Sequence, residues 1–589
     1  MYKKLKTETM KIFVLLVLTT FLLLGLSINL KYDFSQLHTS VFYDVLLYLP
    51  QTFIPILAIF VAFSITLILT GNFDIRLKFI WVLLIPCIYI LEVVANYPNI
   101  WARDVYLHGQ IWELDLYGNL RSIHYLYPKE YPCFFLTLYE IYKVLGINDI
   151  RIANLFVLYL ALIFVLLLFI YVISYQVLRN RLLTFLTTLI AFSLLQFHNN
   201  EDTFVHANTR LYALVLVILI FYTILASKEK RIHFIVFLVA TPVLTLSHAL
   251  FQLVPLTTLL YLTIIDAIMS LRKDRQNFNS QSLLPYIFIN LSIVLTWNIY
   301  NYYSYTVRTG ITSFFNYVYH VIAWELIETY ASITPRWLIP PIGVFLRNYY
   351  IATVILIALI SLIHVCKNIF RNTLNYEKAA TAAFSLAIIS VFLSTFFTAS
   401  LGNSINRMLL SLPIPLTVLF INEVSTALHK IVRNSLGKVI TILFITYIVI
   451  AGYLLVHQTP VLQAKTVPLD NAALFISNNK GFDINVVATS PFNIYYSYFD
   501  PASRKITISL TKRVATTYTD IIEDLGSITE NIIRISGIKV VDMRSVIIWA
   551  FKYNDLHQAL NEFNIFVLTP LSRSCSLIYN NGGFEYVYL

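Results

Sequence analysis

The chain has 589 residues, of which 58% are hydrophobic and only 12% charged, against about 25% charged in an ordinary soluble domain. That balance excludes a soluble globular protein, which has no surface-to-volume ratio able to hide so much apolar side chain. The formal net charge of +11 does not mark a nucleic-acid binder, because the basic residues fall mainly in short connections between apolar runs, where the positive-inside rule expects them.

The chain opens on a basic segment, residues 1–11, and runs into an apolar stretch from Ile12 to about Leu30. The stretch is long and lacks a small-x-small cleavage site, so it reads as an uncleaved first helix with a cytoplasmic N-terminus. Further apolar runs follow, most of them near the length of about 20 residues that crosses roughly 30 Å of hydrocarbon as a helix. About 13 spans are expected, at 12–30, 46–69, 78–96, 151–178, 182–196, 210–226, 232–247, 250–270, 283–303, 344–365, 379–398, 408–428 and 438–456. Residues 1–456 therefore read as a polytopic all-α membrane domain. The connections 178–181, 227–231 and 272–275, with Lys367, Arg371, Lys378, Lys430, Arg433 and Lys438, fall on one side. The opposite connections are longer yet hold fewer Lys and Arg, and that asymmetry makes the first side cytoplasmic.

An odd number of spans puts residues 457–589 outside, and there the sequence changes character. Pro460 and Pro468 are followed by a helix-like 471–478 and strand-like 484–489 and 505–510. Two apolar runs then flank Asn580-Asn581-Gly582-Gly583, which reads as a hairpin. A small extracytoplasmic α/β domain is expected, with no nucleotide-binding glycine fingerprint. The cysteines add little: Cys87 lies in an apolar run and Cys366 at a cytoplasmic helix end, while Cys133 and Cys575 both face outside and can pair, although their spacing does not demand it. The 40 Tyr and 7 Trp suit aromatic belts at the two membrane interfaces and carry no binding argument.

Three outer segments are too long and too polar to be plain connectors. Residues 96–150 contain Arg103, Asp104, Tyr106, His108, Glu113, Asp115, His124 and Glu130; residues 197–210 contain His198, Glu201, Asp202 and His206; residues 302–343 contain Arg308, Glu325, Glu328 and Arg336. Carboxylates and histidines gathered in loops on a rigid scaffold point to chemistry at the outer membrane face. Asp104 and His108 are four apart, so a helix would put both on one face. An Asp there can deprotonate an acceptor hydroxyl or coordinate a divalent cation such as Mg or Mn; the bland reading pairs it with Arg103 or makes it a helix cap. Glu201 and Asp202 are either a second carboxylate pair or a solvated loop tip. His248, at the outer end of its helix, is either a substrate contact or a structural residue. Arg407 either grips a lipid phosphate or snorkels to the interface.

These residues carry a resemblance. Asp104-Val105-Tyr106-Leu107-His108, then Tyr127-Pro128-Lys129-Glu130-Tyr131-Pro132-Cys133 and a helix ending Lys143-Val144-Leu145-Gly146, resemble the GT-C superfamily of membrane glycosyltransferases. That group includes protein mannosyltransferases, the lipid A aminoarabinose transferase and oligosaccharyltransferases. In it an acidic residue early in the first outer loop precedes a Tyr-Pro-rich juxtamembrane helix ending in Gly, and a further helix starts near an Arg, matched here by Arg151. Arg407-Met408-Leu409-Leu410 with Pro413 and Pro415 is similar to a late transmembrane segment of archaeal members. Few Cys and Met with abundant Ile and Tyr also suit an archaeal thermophile.

The resemblance implies transfer of a sugar from a polyprenyl- or dolichyl-phosphate donor to a protein or lipid acceptor at the outer face of the cell membrane. Asp104 and His108 would be catalytic, as would Glu201 and Asp202, which match the position of the second outer-loop carboxylates. Arg407 and Arg336 would hold the donor phosphate, and Tyr106, Glu130, His248 and Glu325 would line the substrates. Two spans between the first helix and the Asp104 loop are extra relative to the commonest arrangement. Residues 457–589 lack the Trp-Trp-Asp motif of oligosaccharyltransferases, and the Asp104 loop has no Asp-x-Asp, which leaves the metal open. These departures favour transfer of a single sugar. A transporter or flippase of lipid-linked sugars would instead place ionisable residues inside the spans, which are nearly free of charge here. A non-catalytic envelope-assembly protein would use the outer domain for contacts.

Overall fold

The structure is a computed structural model. It describes residues 53–70, 131–146, 153–195, 209–226, 231–248, 250–270, 283–300, 375–396, 412–456, 564–580 and 585–588, with shorter pieces at 42–43, 78, 114, 459–460, 486–489, 505–508 and parts of 352–368, 475–478 and 529–542. The expected spans 12–30 and 78–96 lie essentially outside the described residues, and 344–365 does so in part.

Long apolar stretches become helices because in hydrocarbon every backbone N–H and C=O must be satisfied within the segment. In chain order these are α1 (Phe53–Thr70), α2 (Cys133–Val144), α3 (Leu160–Leu178, entered through a π-helical turn at Ala153–Tyr159), α4 (Arg181–Leu195), α5 (Thr209–Leu225), α6 (Arg231–Thr245), α7 (Leu253–Ser270), α8 (Leu284–Tyr300), α9 (Tyr376–Phe396), α10 (Pro413–Arg433) and α11 (Ser435–Val456). Among the described residues three helical stretches, 157–178, 253–270 and 435–452, are long and apolar enough to cross a membrane, and several shorter apolar helices join them.

Helix α4 sits at the centre. All its side chains from Leu183 to Leu195 are buried, against α1, α3, α10 and α11. Around it the helices bury one stripe and expose another of equally apolar chemistry. In α3 Leu162, Leu166, Ile170 and Ile173 point inward while Phe164 and Leu168 point out. Helix α6 exposes Ile232, Ile235 and Val239, and α11 exposes Val439, Leu443 and Phe444. Large apolar side chains on the outside of a packed bundle are what a lipid solvent permits and water does not. Many of the hydroxyls inside are satisfied within their own helices: Ser64 donates to the Phe60 carbonyl, Thr187 to Leu183, Thr241 to Phe237 and Thr258 to Val254, all at 2.7–2.8 Å.

The connections on one bundle end are tight and locally encoded. Arg179 takes a left-handed conformation at φ 51°, and Asn180 caps α4 by accepting from the Leu183 N–H at 3.2 Å. Between α10 and α11 the chain turns at Asn434. Gly437 there approaches so closely that a Cβ would meet the Ile431 carbonyl oxygen at 2.0 Å, a position only glycine fills.

Contacts between helix ends fall into two groups. Arg179 of the α3–α4 turn pairs with Glu377 at the start of α9 (3.4 Å), Tyr376 donates to the Ile224 carbonyl at the end of α5 (2.8 Å), and Lys367 pairs with Glu423 (3.1 Å). All these residues belong to segments expected on the cytoplasmic side. Cys133 of α2 bonds the Leu246 carbonyl after α6, Thr137 meets Tyr212 at the start of α5, and Gln252 before α7 donates to Asn298 near the end of α8. These belong to segments expected outside. The two-residue strands β1 (Phe42–Tyr43) and β2 (Thr459–Pro460) pair antiparallel, again joining two segments expected outside.

Beyond α11 the chain forms a five-stranded mixed sheet from β3 (Val486–Thr489), β4 (Lys505–Ile508), β5 (Ile538–Asp542), β6 (Leu577–Asn580) and β7 (Glu585–Tyr588), in the order β4-β3-β5-β7-β6. Strands β4, β3 and β5 are parallel, and β7 runs antiparallel to both β5 and β6. The hairpin read from Asn580-Asn581-Gly582-Gly583 is the β6–β7 pair. In β5 both Val540 and its neighbour Lys539 are buried, so both faces of this central strand are covered. Sequence patterning missed β5, a short run with charged residues at its second and last positions. A short helix, α12 (Thr569–Ser574), precedes β6.

Candidate active site

The described residues that bear on a site form the junction where the first outer segment docks on the bundle. The order Tyr131-Pro132-Cys133 starts α2, because Pro fits where no N–H partner exists. The helix stops where Gly146 adopts φ 59°, its N–H reaching the Lys143 carbonyl at 3.2 Å. Helix α2 is thus a short helix with an amphipathic pattern: Phe134, Phe135 and Leu138 are buried, while Val144 and Leu145 at its far end are exposed. Tyr131 is fully buried.

Three contacts fix α2. The Cys133 N–H donates to the Leu246 carbonyl at 3.2 Å, tying the start of α2 to the α6–α7 turn. Four residues on, Thr137 Oγ1 shares a hydrogen bond of 3.2 Å with Tyr212 Oη, and Phe134 packs edge-on against the Tyr212 ring at 5.9 Å. Tyr212 lies in the first turn of α5, just after the 197–210 loop. Three chain segments therefore meet at this end of the bundle: the close of the 96–150 loop, the close of the 197–210 loop and the turn holding His248.

The α6–α7 turn is built by its own sequence. Pro242 sits inside α6, the Ser247 hydroxyl donates back to the Val243 carbonyl, and the Leu250 N–H donates to His248 Nδ1 at 3.2 Å. The His248 imidazole is buried and meets Phe251 edge-on at 4.9 Å. Its Nδ1 is an acceptor, so its tautomer carries the proton on Nε2. His248 is the one candidate from the sequence that lies among the described residues, and there it closes the turn. Asp104, Tyr106, His108, Glu130, Glu201, Asp202, Glu325, Arg336 and Arg407 lie outside the described residues. Among the described residues no group of three His, Cys, Asp or Glu is placed to hold a metal ion.

Cys133 and Cys575 are both free thiols. Burial pushes the Cys133 thiol up, with the Ser247 hydroxyl pulling weakly the other way. Only the thiolate reacts with maleimides, so in a variant whose sole cysteine is Cys133 labelling is expected to be slow at neutral pH and to accelerate only above the usual thiol range. The sign for stability follows. The raised value favours the native state below the ordinary thiol pKa, and that contribution is lost as pH rises through the raised one. Labelling of Cys133 with the pH profile of a free thiol would show that the start of α2 is not held against the turn.

Sequence reading passed over Tyr212, Thr137, Gln252, Trp297 and Asn298. Their signal was present, as polar side chains in apolar runs near the ends of spans. Asp266 was missed as well; it is buried on α7 within a turn of the helix end at Ser270.

No family model matches this sequence, and no curated protein does. Among solved structures, the chain is similar to the archaeal oligosaccharyltransferase AglB from Archaeoglobus fulgidus, in complex with an inhibitory peptide and a dolichol-phosphate, at 12% identity over 86% of this chain and 74% of that chain, with a TM-score of 0.49. A second Archaeoglobus fulgidus oligosaccharyltransferase structure, with Zn and sulfate, has 12% identity over 81% of this chain and 70% of that one, with a TM-score of 0.47. ArnT from Cupriavidus metallidurans bound to undecaprenyl phosphate has 10% identity over 83% of this chain and 96% of that one, with a TM-score of 0.42.

Proposed function

We propose that this protein is a membrane glycosyltransferase that moves a sugar from a polyprenyl- or dolichyl-phosphate donor to a protein or lipid acceptor at the outer membrane face. The observation that carries the reading is the docking of α2. Its bonds to Leu246 and Tyr212 gather at one bundle end the segments that lead to Asp104, to Glu201 and Asp202, and to His248. The Lys and Arg bias assigns that end to the outside, with residues 457–589 as an extracytoplasmic domain.

In the reaction a nucleophile of the acceptor attacks the anomeric carbon while the bond to the lipid-phosphate oxygen breaks. Asp104 takes the acceptor proton, and the lipid phosphate leaves as an anion held by Arg407 and Arg336 through charge-assisted hydrogen bonds. Glu201 and Asp202 orient the acceptor. A transporter is less well supported, because Asp266 lies close to a helix end rather than at mid-membrane depth.

The test is reconstitution in proteoliposomes with a radiolabelled sugar on polyprenyl phosphate. Label is expected to leave the lipid donor and enter a new covalent product in a time- and protein-dependent way. Label that crosses the bilayer still attached to its lipid would replace the transferase reading with a flippase, and label that neither moves nor transfers would remove both.

A further inference from the structure

Helix α8 has a polar buried face. Tyr286, Asn290 and Val294 are its buried residues, and Trp297 falls within about 20° of Asn290 around the helix and about 10 Å further along it. Asn290 is fully buried, and neither Nδ2 nor Oδ1 has a partner. The Trp297 indole N–H is also buried without one. Amides and indoles left unmet inside a membrane bundle are costly, and such groups call for a hydrogen-bonding occupant.

At the outer end of the same helix the groups converge. Gln252, buried at the start of α7, donates through Nε2 to Asn298 Oδ1 at 3.4 Å, and Asn298 Nδ2 donates to the Val294 carbonyl at 2.7 Å. Only one Nδ2 hydrogen is used in that bond, leaving a second to give. Trp297 stacks with Tyr300 at 5.5 Å and 26°, and Tyr300 is exposed. His248 and Phe251, beside Gln252 in the chain, link this rim to the turn that holds α2.

The chemistry of the rim selects its ligand. Residues 284–300 contain no Lys, Arg, Asp or Glu, and neither do residues 252–265, so these two described stretches supply no cation to neutralise a phosphate or a carboxylate. Side-chain amides both donate and accept, as hydroxyls do, and a flat aromatic pair offers a surface for the C–H face of a sugar ring. We infer that Gln252, Trp297, Asn298 and Tyr300 form a subsite for the uncharged saccharide of the donor or acceptor. This subsite rests on the glycosyltransferase reading and names the part of the substrate it meets. A Trp and Tyr at this depth also suit an interface belt. A belt alone accounts for neither the amide pair nor the buried indole N–H.

The full-length protein in lipid nanodiscs, probed by saturation-transfer NMR with a panel of neutral methyl glycosides, tests this. At least one glycoside is expected to bind, and Asn298→Leu is expected to weaken it about tenfold, the cost of one hydrogen bond. Trp297→Phe keeps the ring and loses the N–H, and is expected to weaken binding about as much at an unchanged melting temperature. Asp104→Asn should leave glycoside binding as it is. Absence of binding by every glycoside, or equal binding by the folded variants, would overturn the subsite and leave an interface anchor only. The two readings fail separately. Glycoside binding without sugar transfer removes the transferase and keeps the subsite. Transfer whose sugar KM is the same in Trp297→Phe as in the unaltered protein removes the subsite and keeps the transferase.

Discussion

Asp104→Asn is expected to abolish sugar transfer, lowering turnover about 10²- to 10⁴-fold, the range a positioned general base contributes. The amide keeps the size and hydrogen-bonding shape of the carboxylate but cannot accept a proton from the acceptor or face a developing positive charge at the anomeric carbon. The assay is initial rate of label transfer in proteoliposomes, with donor binding measured in parallel. Because the change acts on proton transfer, the loss should appear in turnover and leave donor affinity nearly as it was. Asp104→Glu keeps the charge and moves it, and is expected to lie between the two. Turnover that survives Asp104→Asn would assign Asp104 to structure, pairing with Arg103 or capping a helix, and would turn the search for the base to Glu201 and Asp202.

The second large effect is on stability. Phe134 is fully buried, meets Phe135 and Tyr212 edge-on, and is one of the three buried apolar residues of α2. Phe134→Ala should cost about 3–5 kcal/mol, the usual range for deleting a buried aromatic ring. For a helix docked at the juxtamembrane position expected of α2, burial removes apolar surface from water rather than from lipid, and the full hydrophobic term applies. Thermal unfolding in detergent followed by near-ultraviolet dichroism reads the loss. The consequence for activity is separable. Once α2 is loosened, the 96–150 segment no longer has a fixed close, so transfer should fall even at temperatures where the helices remain folded. Phe134→Leu, which keeps most of the buried volume, should retain most of both. A Phe134→Ala variant as stable as the unaltered protein would mean that α2 is not docked through this ring.

Much of the scaffold was readable without coordinates because a bilayer leaves few choices. An apolar run that crosses hydrocarbon must be helical, and alternation of Lys- and Arg-rich connections orders the ends. The Arg179–Glu377 and Tyr376–Ile224 contacts on one side, and Cys133–Leu246 and Thr137–Tyr212 on the other, join ends that the charge bias had placed together. Gly146 was legible too, as the residue able to end α2 with positive φ. Strand β5 was not, since a short run interrupted by Lys539 has no period of its own and becomes a central strand only between β3 and β7.

The sequence by itself determined the class of the protein, the order of its helices and the polar connecting segments in which carboxylates and histidines collect, because these depend on composition and on one-dimensional distance. Tertiary structure alone decided which helix is central, that α2 rests on the α6–α7 turn and on Tyr212, that His248 closes a turn through Nδ1, and that Asn290 and Trp297 share the buried face of α8. Those depend on which side of each helix meets which neighbour. In runs as uniformly apolar as these, lipid and protein demand the same side chains, so the sequence holds almost no record of the choice.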